Sequence, residues 1–142
     1  MKRIIKIICI IGIFLLVLNC YLMKQKSPLE NKFPISIFQI QSGSMMPEIK
    51  IKEIIIILKS KEYKENEIIT YKINNSYFIT HRIIAKTDEG YITKGDFNNT
   101  EDAKIVTKEQ IQGKVIFHSR LLGKIYEFRY YLILILIILL LI

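Results

Sequence analysis

No residue between Ile7 and Met23 carries a charge, and every residue from Leu132 to Ile142 is apolar. Between these ends the pattern changes to short alternating or β-branched runs separated by polar turns. The first uncharged run reads as a helix. At ~1.5 Å per residue it is about 25 Å long, a little short of a ~30 Å hydrocarbon core, with Lys6 and Lys24 placed to snorkel. It is read as an uncleaved membrane anchor, because a cleaved leader wants small residues at its exit and the only alanines are Ala85 and Ala103. A lipoprotein-type site at Cys20 fits poorly behind Asn19. At the other end, the run counted from Tyr130 is too short to span unaided, and starting it at Ile125 brings in Glu127 and Arg129. Tyr126, Phe128, Tyr130 and Tyr131 look like an interfacial aromatic belt, so a second, thin or tilted membrane helix is expected, with a membrane-dipping anchor as the alternative. A buried core helix is discounted, because a domain this small has no interior for so long an apolar run.

The middle of the chain reads as strands. Ser27 to Pro34 is a linker, with Pro28 and Pro34 marking irregular backbone. Phe33 to Ile40 alternates, and Ile49 to Leu58 is β-branched, with Ile54 to Ile57 a buried run. A polar loop, Lys59 to Asn66, leads to a strand over Ile68 to Ile73, a hairpin turn at Asn74-Asn75 and a strand over Tyr77 to Lys86. Asp88-Glu89-Gly90 turns the chain into Tyr91 to Lys94, and Ile111 to Phe117 is the last strand, with Gly113 marking a bulge or a close approach. The fold class expected is mainly β. A small β-rich, barrel-like domain over 35–122 follows an N-terminal membrane helix over 1–24 and a linker over 25–34, and precedes a hydrophobic helix over 125–142.

Charge and cysteine change this picture little. The net charge of +8 suits a domain lying against anionic lipid. Nucleic acid, the usual rival partner for a basic chain, is excluded: the lysines are interleaved with glutamates, as in Lys59-Ser60-Lys61-Glu62-Tyr63-Lys64-Glu65, which is the pattern of a solvated face. No zinc-type Cys/His spacing and no phosphate-cradling glycine loop is visible. Both cysteines, Cys9 and Cys20, lie in the first apolar run, so the β-rich domain has no disulfide, and both are read as inert.

Candidate chemistry lies in three boxes. In Ser42-Gly43-Ser44-Met45-Met46-Pro47, glycine frees the backbone and proline stiffens the far side, as an exposed nucleophilic serine requires. Taken alone, Ser-Gly-Ser is also ordinary turn chemistry. Thr80-His81-Arg82-Ile83-Ile84 places a histidine in a strand, and histidine accepts and returns protons near neutral pH. Lys94-Gly95-Asp96-Phe97-Asn98-Asn99-Thr100-Glu101-Asp102 carries two aspartates in a turn-rich loop. His118 matches no box and is read as surface or interfacial.

Together the boxes resemble the signal peptidase I family, in the endoplasmic-reticulum-type branch also found in archaea and some Gram-positive bacteria, which uses histidine where the common bacterial branch has lysine. The resemblance covers roughly Gln39 to Val115. It implies a serine endopeptidase with Ser44 as nucleophile, His81 as general base and Asp102 orienting the histidine. It also implies Ser42 as a contributor to the oxyanion hole and Asp96 in a supporting role. Exchange of the two aspartates' roles is the alternative. Met46 departs from the branch, which usually has glutamate there, and Glu53 and Glu67 stand where the family often has a Gly or Gly-Asp turn. The partners implied are signal-peptide-bearing pre-proteins, the lipid bilayer and the secretion translocon. The implied location is the cell membrane with the catalytic domain on the extracytoplasmic face, and no metal or organic cofactor is implied. Two alternatives stay open: a dedicated peptidase for a few secreted, pilin-like or matrix proteins, and an inactive binding module on the same fold.

Overall fold

The β-branched and aromatic runs of the middle of the chain form β1 (Ile35–Gln39), β2 (Ile54–Leu58), β3 (Ile68–Ile73), β4 (Tyr77–Lys86), β5 (Tyr91–Lys94) and β6 (Ile111–Ser119). The computed structural model describes residues 2–24, 34–73 and 77–141, without the side chains of 2, 5, 19–24 and 141. The Asn74-Asn75 turn, most of the linker and the side chain of Cys20 lie outside the described residues. Two compact units are distinguished, Leu29–Gly123 and a unit of Met1–Pro28 with Lys124–Ile142.

The strands make one antiparallel sheet in the order β1-β2-β6-β3-β4-β5. The last strand is thus inserted between the second and third. This corrects the barrel-like expectation: the sheet is open, with β1 and β5 as its edges. Its pairing is irregular at Ile56/Ile57, Thr70/Tyr71 and Ile83/Ala85, where one strand gains a residue on its neighbour, an arrangement that raises the local twist. Gly113 stands at one of them, opposite Thr70. A Cβ there would meet the Leu58 carbonyl at 2.8 Å, so both readings of this glycine, bulge and close approach, describe the same place.

Other boundaries also move. The strand expected over Ile49 to Leu58 begins only at Ile54, because Ile49 is drawn into the core from a loop. A 3₁₀ turn, Lys108–Gln110, precedes β6, closed by a bond that Thr107 N–H donates to Gln110 Oε1 at 2.8 Å.

One cluster of buried side chains gathers Tyr63, Ile69, Tyr71, Ile83, Tyr91, Val106 and Ile111. A second gathers Ile40, Met45, Ile49, Ile55 and Ile57, with Phe38, Ile68 and Val115 packed on it. The first lies under the β3-β4-β5 half of the sheet. The second fastens the loop between β1 and β2.

The terminal segments are helical, α1 (Lys2–Lys24) and α2 (Arg120–Leu141). Among the described residues no helix is long and apolar enough to cross a membrane, which corrects the membrane-spanning expectation. In α2 the reason is the distribution of charge: Arg120, Lys124, Glu127 and Arg129 come before its apolar part. The dozen residues that remain in α2 measure ~18 Å. In the expected aromatic belt, the Arg129 guanidinium stacks on the rings of Tyr126 and Tyr130, 4.0 and 4.4 Å from their centroids. Cys9 is a buried free thiol.

The core assignment makes a quantitative prediction. Ile69→Ala, at a fully buried position, should lower unfolding free energy by about 2–5 kcal/mol. Ile37→Ala, at a half-exposed position on edge strand β1, should stay within roughly 0.5 kcal/mol of the parent. Equal losses in equilibrium denaturation of the two variants would refute the assignment.

Candidate active site

Ser44 stands in a loop whose ends are tied together. Ile40 N–H donates to the Glu53 carbonyl at 2.9 Å, and Lys52 N–H donates to the Ile40 carbonyl at 2.7 Å. Inside the loop, Met46 N–H reaches the Gly43 carbonyl at 3.0 Å and Ile49 N–H the Met45 carbonyl at 2.9 Å. The Met46–Pro47 peptide is cis. Met45 and Ile49 are buried in the second cluster and act as plugs. The serine beside the buried methionine is thereby left at the surface of the loop, part exposed.

His81 stands in β4, paired with Ile69 of β3. Successive side chains of a strand point to opposite faces. His81 and Ile83 are buried on the inner face with Ile69 and Tyr71, while Arg82 belongs to the other. This alternation separates the two aspartates of the loop after β5. Asp96 is clamped by Arg82, with Nε to Oδ1 at 2.9 Å and Nη2 to Oδ2 at 2.7 Å, and Arg82 Nη1 also donates to the Asn66 carbonyl at 2.9 Å. Asp96 beside it holds the Arg82 guanidinium firmly protonated, against the opposing effect of burial. Asp102 instead reaches the inner face, where its Oδ2 lies 2.6 Å from His81 Nδ1. His81 Nε2 in turn lies 3.1 Å from Ser44 Oγ.

The aspartate loop is docked directly on the serine loop. Phe97 N–H donates to the Ser44 carbonyl at 2.8 Å. Gly95 passes so close that a Cβ there would stand 2.6 Å from the same carbonyl oxygen and 2.8 Å from Asn98 Nδ2. Here the absence of a side chain is a steric requirement of the site. Asp102 is fixed at the far end of the loop by its own N–H, which donates to the Thr93 carbonyl at 2.8 Å.

Asp102 Oδ2 also accepts hydrogen bonds from Thr93 Oγ1 at 2.6 Å and Tyr71 Oη at 2.9 Å. Burial opposes its ionisation, but the bonds from His81, Thr93 and Tyr71 outweigh burial and hold the carboxyl below the ordinary carboxylate range. Burial pushes the Tyr71 phenol well up; the Thr93 hydroxyl acts against this and the neighbouring Asp102 charge adds to it, so the phenol stays neutral and able to donate.

Ser42 Oγ lies 3.3 Å from Ser44 Oγ. Both serines and His81 line a cleft of about 340 Å³, walled by Phe38 to Gln41 on one side and Phe78 to Thr80 on the other, with Asn98 at its rim. The rings of Phe38 and Phe78 meet across it, centroids 5.1 Å apart. Strand β5 pairs only with Arg82 to Lys86, so this edge of Tyr77 to His81 is not occupied by β5.

A serine hydroxyl, an imidazole and an ionised carboxylate, hydrogen-bonded in series beside a cleft, form the constellation that nucleophilic acyl transfer requires. Over 89 residues the chain is 29% identical to Signal peptidase I W of Bacillus subtilis (strain 168), a match covering 58% of this chain and 47% of that protein. The chain therefore spans about half the length of this relative. No family model matches. The similarity supports a relationship to signal peptidases.

Of the residues singled out from sequence, Ser42, Ser44, His81 and Asp102 come together, and Asp96 is held apart by Arg82. Tyr71 and Thr93 were not anticipated. A tyrosine in the middle of a buried strand needs a partner for its hydroxyl, which is a signal for a polar neighbour but not for its identity. Glu53 and Glu67, read as variations of loop shape, make defined pairs. Glu53 is buried, with Oε2 at 2.9 Å from His118 Nδ1, and Glu67 Oε1 meets Lys114 Nζ at 2.5 Å. Burial acts to raise the Glu67 carboxyl, but Lys114 and the Lys64 N–H outweigh it, and the group is held below its ordinary range.

Both depressed carboxyls bear on stability. A folded-state value below the unfolded one stabilises the fold at pH above the unfolded value, roughly 3.9 for Asp and 4.3 for Glu, and that stability is lost as pH falls through the folded value. Thermal stability should therefore be level near neutrality and decline below about pH 4. Asp102→Asn should melt lower than the parent at pH 7, with the gap narrowing by pH 3. A gap that is constant or wider at pH 3 would contradict the carboxylate network.

Proposed function

We propose that this protein is a membrane-associated serine endopeptidase that removes N-terminal signal peptides from exported pre-proteins, in the histidine-using branch of the signal peptidases. The observation that carries this reading is the series Asp102–His81–Ser44, with bonds of 2.6 and 3.1 Å, opening on a cleft between two strand segments. The similarity to a protein named as a signal peptidase supports the substrate class.

In this mechanism an extended substrate lies between Phe38 to Ser42 and Phe78 to His81, bonding to strand-edge backbone. The Phe38–Phe78 contact narrows the cleft, so small side chains before the cut fit best. His81 Nε2 takes the proton of Ser44 Oγ as the oxygen attacks the scissile carbonyl. Negative charge on the carbonyl oxygen is met by the Ser44 N–H and the Ser42 hydroxyl. Asp102 stabilises the imidazolium, which returns the proton to the leaving amine. Water then hydrolyses the acyl-enzyme by the same route. Asp96 holds the loop through Arg82 and takes no part in proton transfer.

The apolar terminal helices associate the protein with the bilayer. The β-rich unit works on the extracytoplasmic face, where a signal peptide's cleavage region emerges beside the translocon. A protease added outside intact cells would reach the Lys59 to Asn66 loop in this topology.

Ser44→Ala and His81→Ala should each lower single-turnover cleavage of a pre-protein by on the order of a thousandfold or more, with the fold retained. Asp96→Asn should lower the melting temperature more than the rate. Unchanged cleavage by purified Ser44→Ala would end the serine-peptidase reading. Comparing secreted-protein N-termini with and without the protein would show which pre-proteins depend on it and separate a general role from a dedicated one.

A further inference from the structure

We propose that Tyr71 and Thr93 are positioning residues that act on Ser44 only through Asp102, by locking one carboxylate oxygen in place against His81. The proposal deepens the reading above and rests on it for its catalytic meaning. Three side chains from three adjacent strands converge on the single atom Oδ2: Tyr71 from β3 at 2.9 Å, His81 from β4 at 2.6 Å and Thr93 from β5 at 2.6 Å. Asp102 itself comes from a loop, where an unassisted carboxylate would rotate freely about its Cβ–Cγ bond. With three donors on one oxygen, rotation breaks three bonds at once.

The donors are themselves held. Thr93 is fully buried and Tyr71 nearly so, and Thr93 Oγ1 lies 3.3 Å from Tyr71 Oη. The Tyr71 ring belongs to the first core cluster, and it meets the His81 ring edge-on at a centroid distance of 6.5 Å. The core thus fixes the carboxylate through the two hydroxyls, and the imidazole through the tyrosine ring. Oriented this way, Asp102 accepts from His81 Nδ1 and leaves Nε2 free to accept the Ser44 proton.

The hydroxyls also share the carboxylate's charge. With either removed, the coupled His81–Asp102 pair binds its proton more tightly. A merely structural role for the two residues would not change this.

The test uses the full chain in detergent or liposomes, carrying ¹³C in the carboxyl groups of its three aspartates, with Asp102→Asn to assign the signal. Tyr71→Phe and Thr93→Val should each raise the pH at which the Asp102 carboxyl titrates. In single-turnover cleavage each should lower the plateau rate by about tenfold, the size of a lost bond to a charged group, and move the acid limb of the pH–rate profile upward. Thr93→Ser, which keeps the hydroxyl, should remain near the parent in both measurements. Lower melting temperatures with an unmoved titration and an unmoved acid limb would overturn the proposal. If the parent chain cleaves no signal-peptide substrate, the peptidase reading fails. The carboxyl titration, which needs no substrate, then upholds or overturns the locking of Asp102 by itself.

Discussion

The docking of the aspartate loop on the serine loop is the constraint on which the site depends. It consists of one backbone hydrogen bond, Phe97 N–H to the Ser44 carbonyl, made across a glycine. Ser44 and Asp102 belong to segments with no strand pairing between them, and His81 comes from a third. Without this contact the serine loop would be placed by the ties at its ends and by Met45 and Ile49 in the core, and the aspartate loop by the Arg82–Asp96 clamp and the bonds of Asp102, with nothing joining the two loops directly. Any side chain at position 95 would drive the two apart by the reach of a Cβ. A hydrogen bond between His81 and Ser44 tolerates only a few tenths of an ångström of such movement.

The same site has to keep a carboxylate ionised in a half-buried place. Desolvation acts to raise the Asp102 carboxyl, and a neutral acid would hold the imidazolium poorly. The sheet supplies the answer through register. Ile69 faces His81 across β3 and β4, and Ile83 faces Thr93 across β4 and β5. Tyr71, two residues beyond Ile69, shares its face by the two-residue period of a strand. Three donors therefore arrive on one side of three neighbouring strands. A slip of one residue in either pairing would turn a donor away and leave the carboxylate short of a partner.

Much of this was legible in the sequence, and the rest was hidden for identifiable reasons. The strands β3, β4 and β5 follow from local alternation, and the serine, histidine and aspartate boxes are local too. The place of β6 between β2 and β3 is a long-range pairing, and nothing in the run Ile111 to Phe117 specifies its neighbours. Closure into a barrel depends on bulges and edge pairing and is equally remote from local pattern. The apolar boundary predicts a last helix from Ile125, whereas that helix begins at Arg120. Charged side chains do not stop a helix; they only limit how much of it lies in apolar surroundings. The loop Ile49 to Lys52 reads as strand because a buried plug such as Ile49 has the same composition as a strand interior.

The choice between Asp96 and Asp102 shows where local reading ends. Both lie in one turn-rich loop, both suit turns, and both have a basic partner in the same box, Thr80-His81-Arg82-Ile83-Ile84. What separates them is the parity of β4. Adjacent residues of a strand face opposite ways, so His81 and Arg82 cannot serve the same side of the sheet. Once burial assigns His81 to the inner face, Arg82 must look outward. The loop then divides its two carboxylates between them, with five residues of chain between Asp96 and Asp102 to turn the sheet's edge. The outer pair fastens the loop with a bidentate clamp, and the inner carboxylate is left for the imidazole. The division of labour between the aspartates follows from the pleat of a single strand.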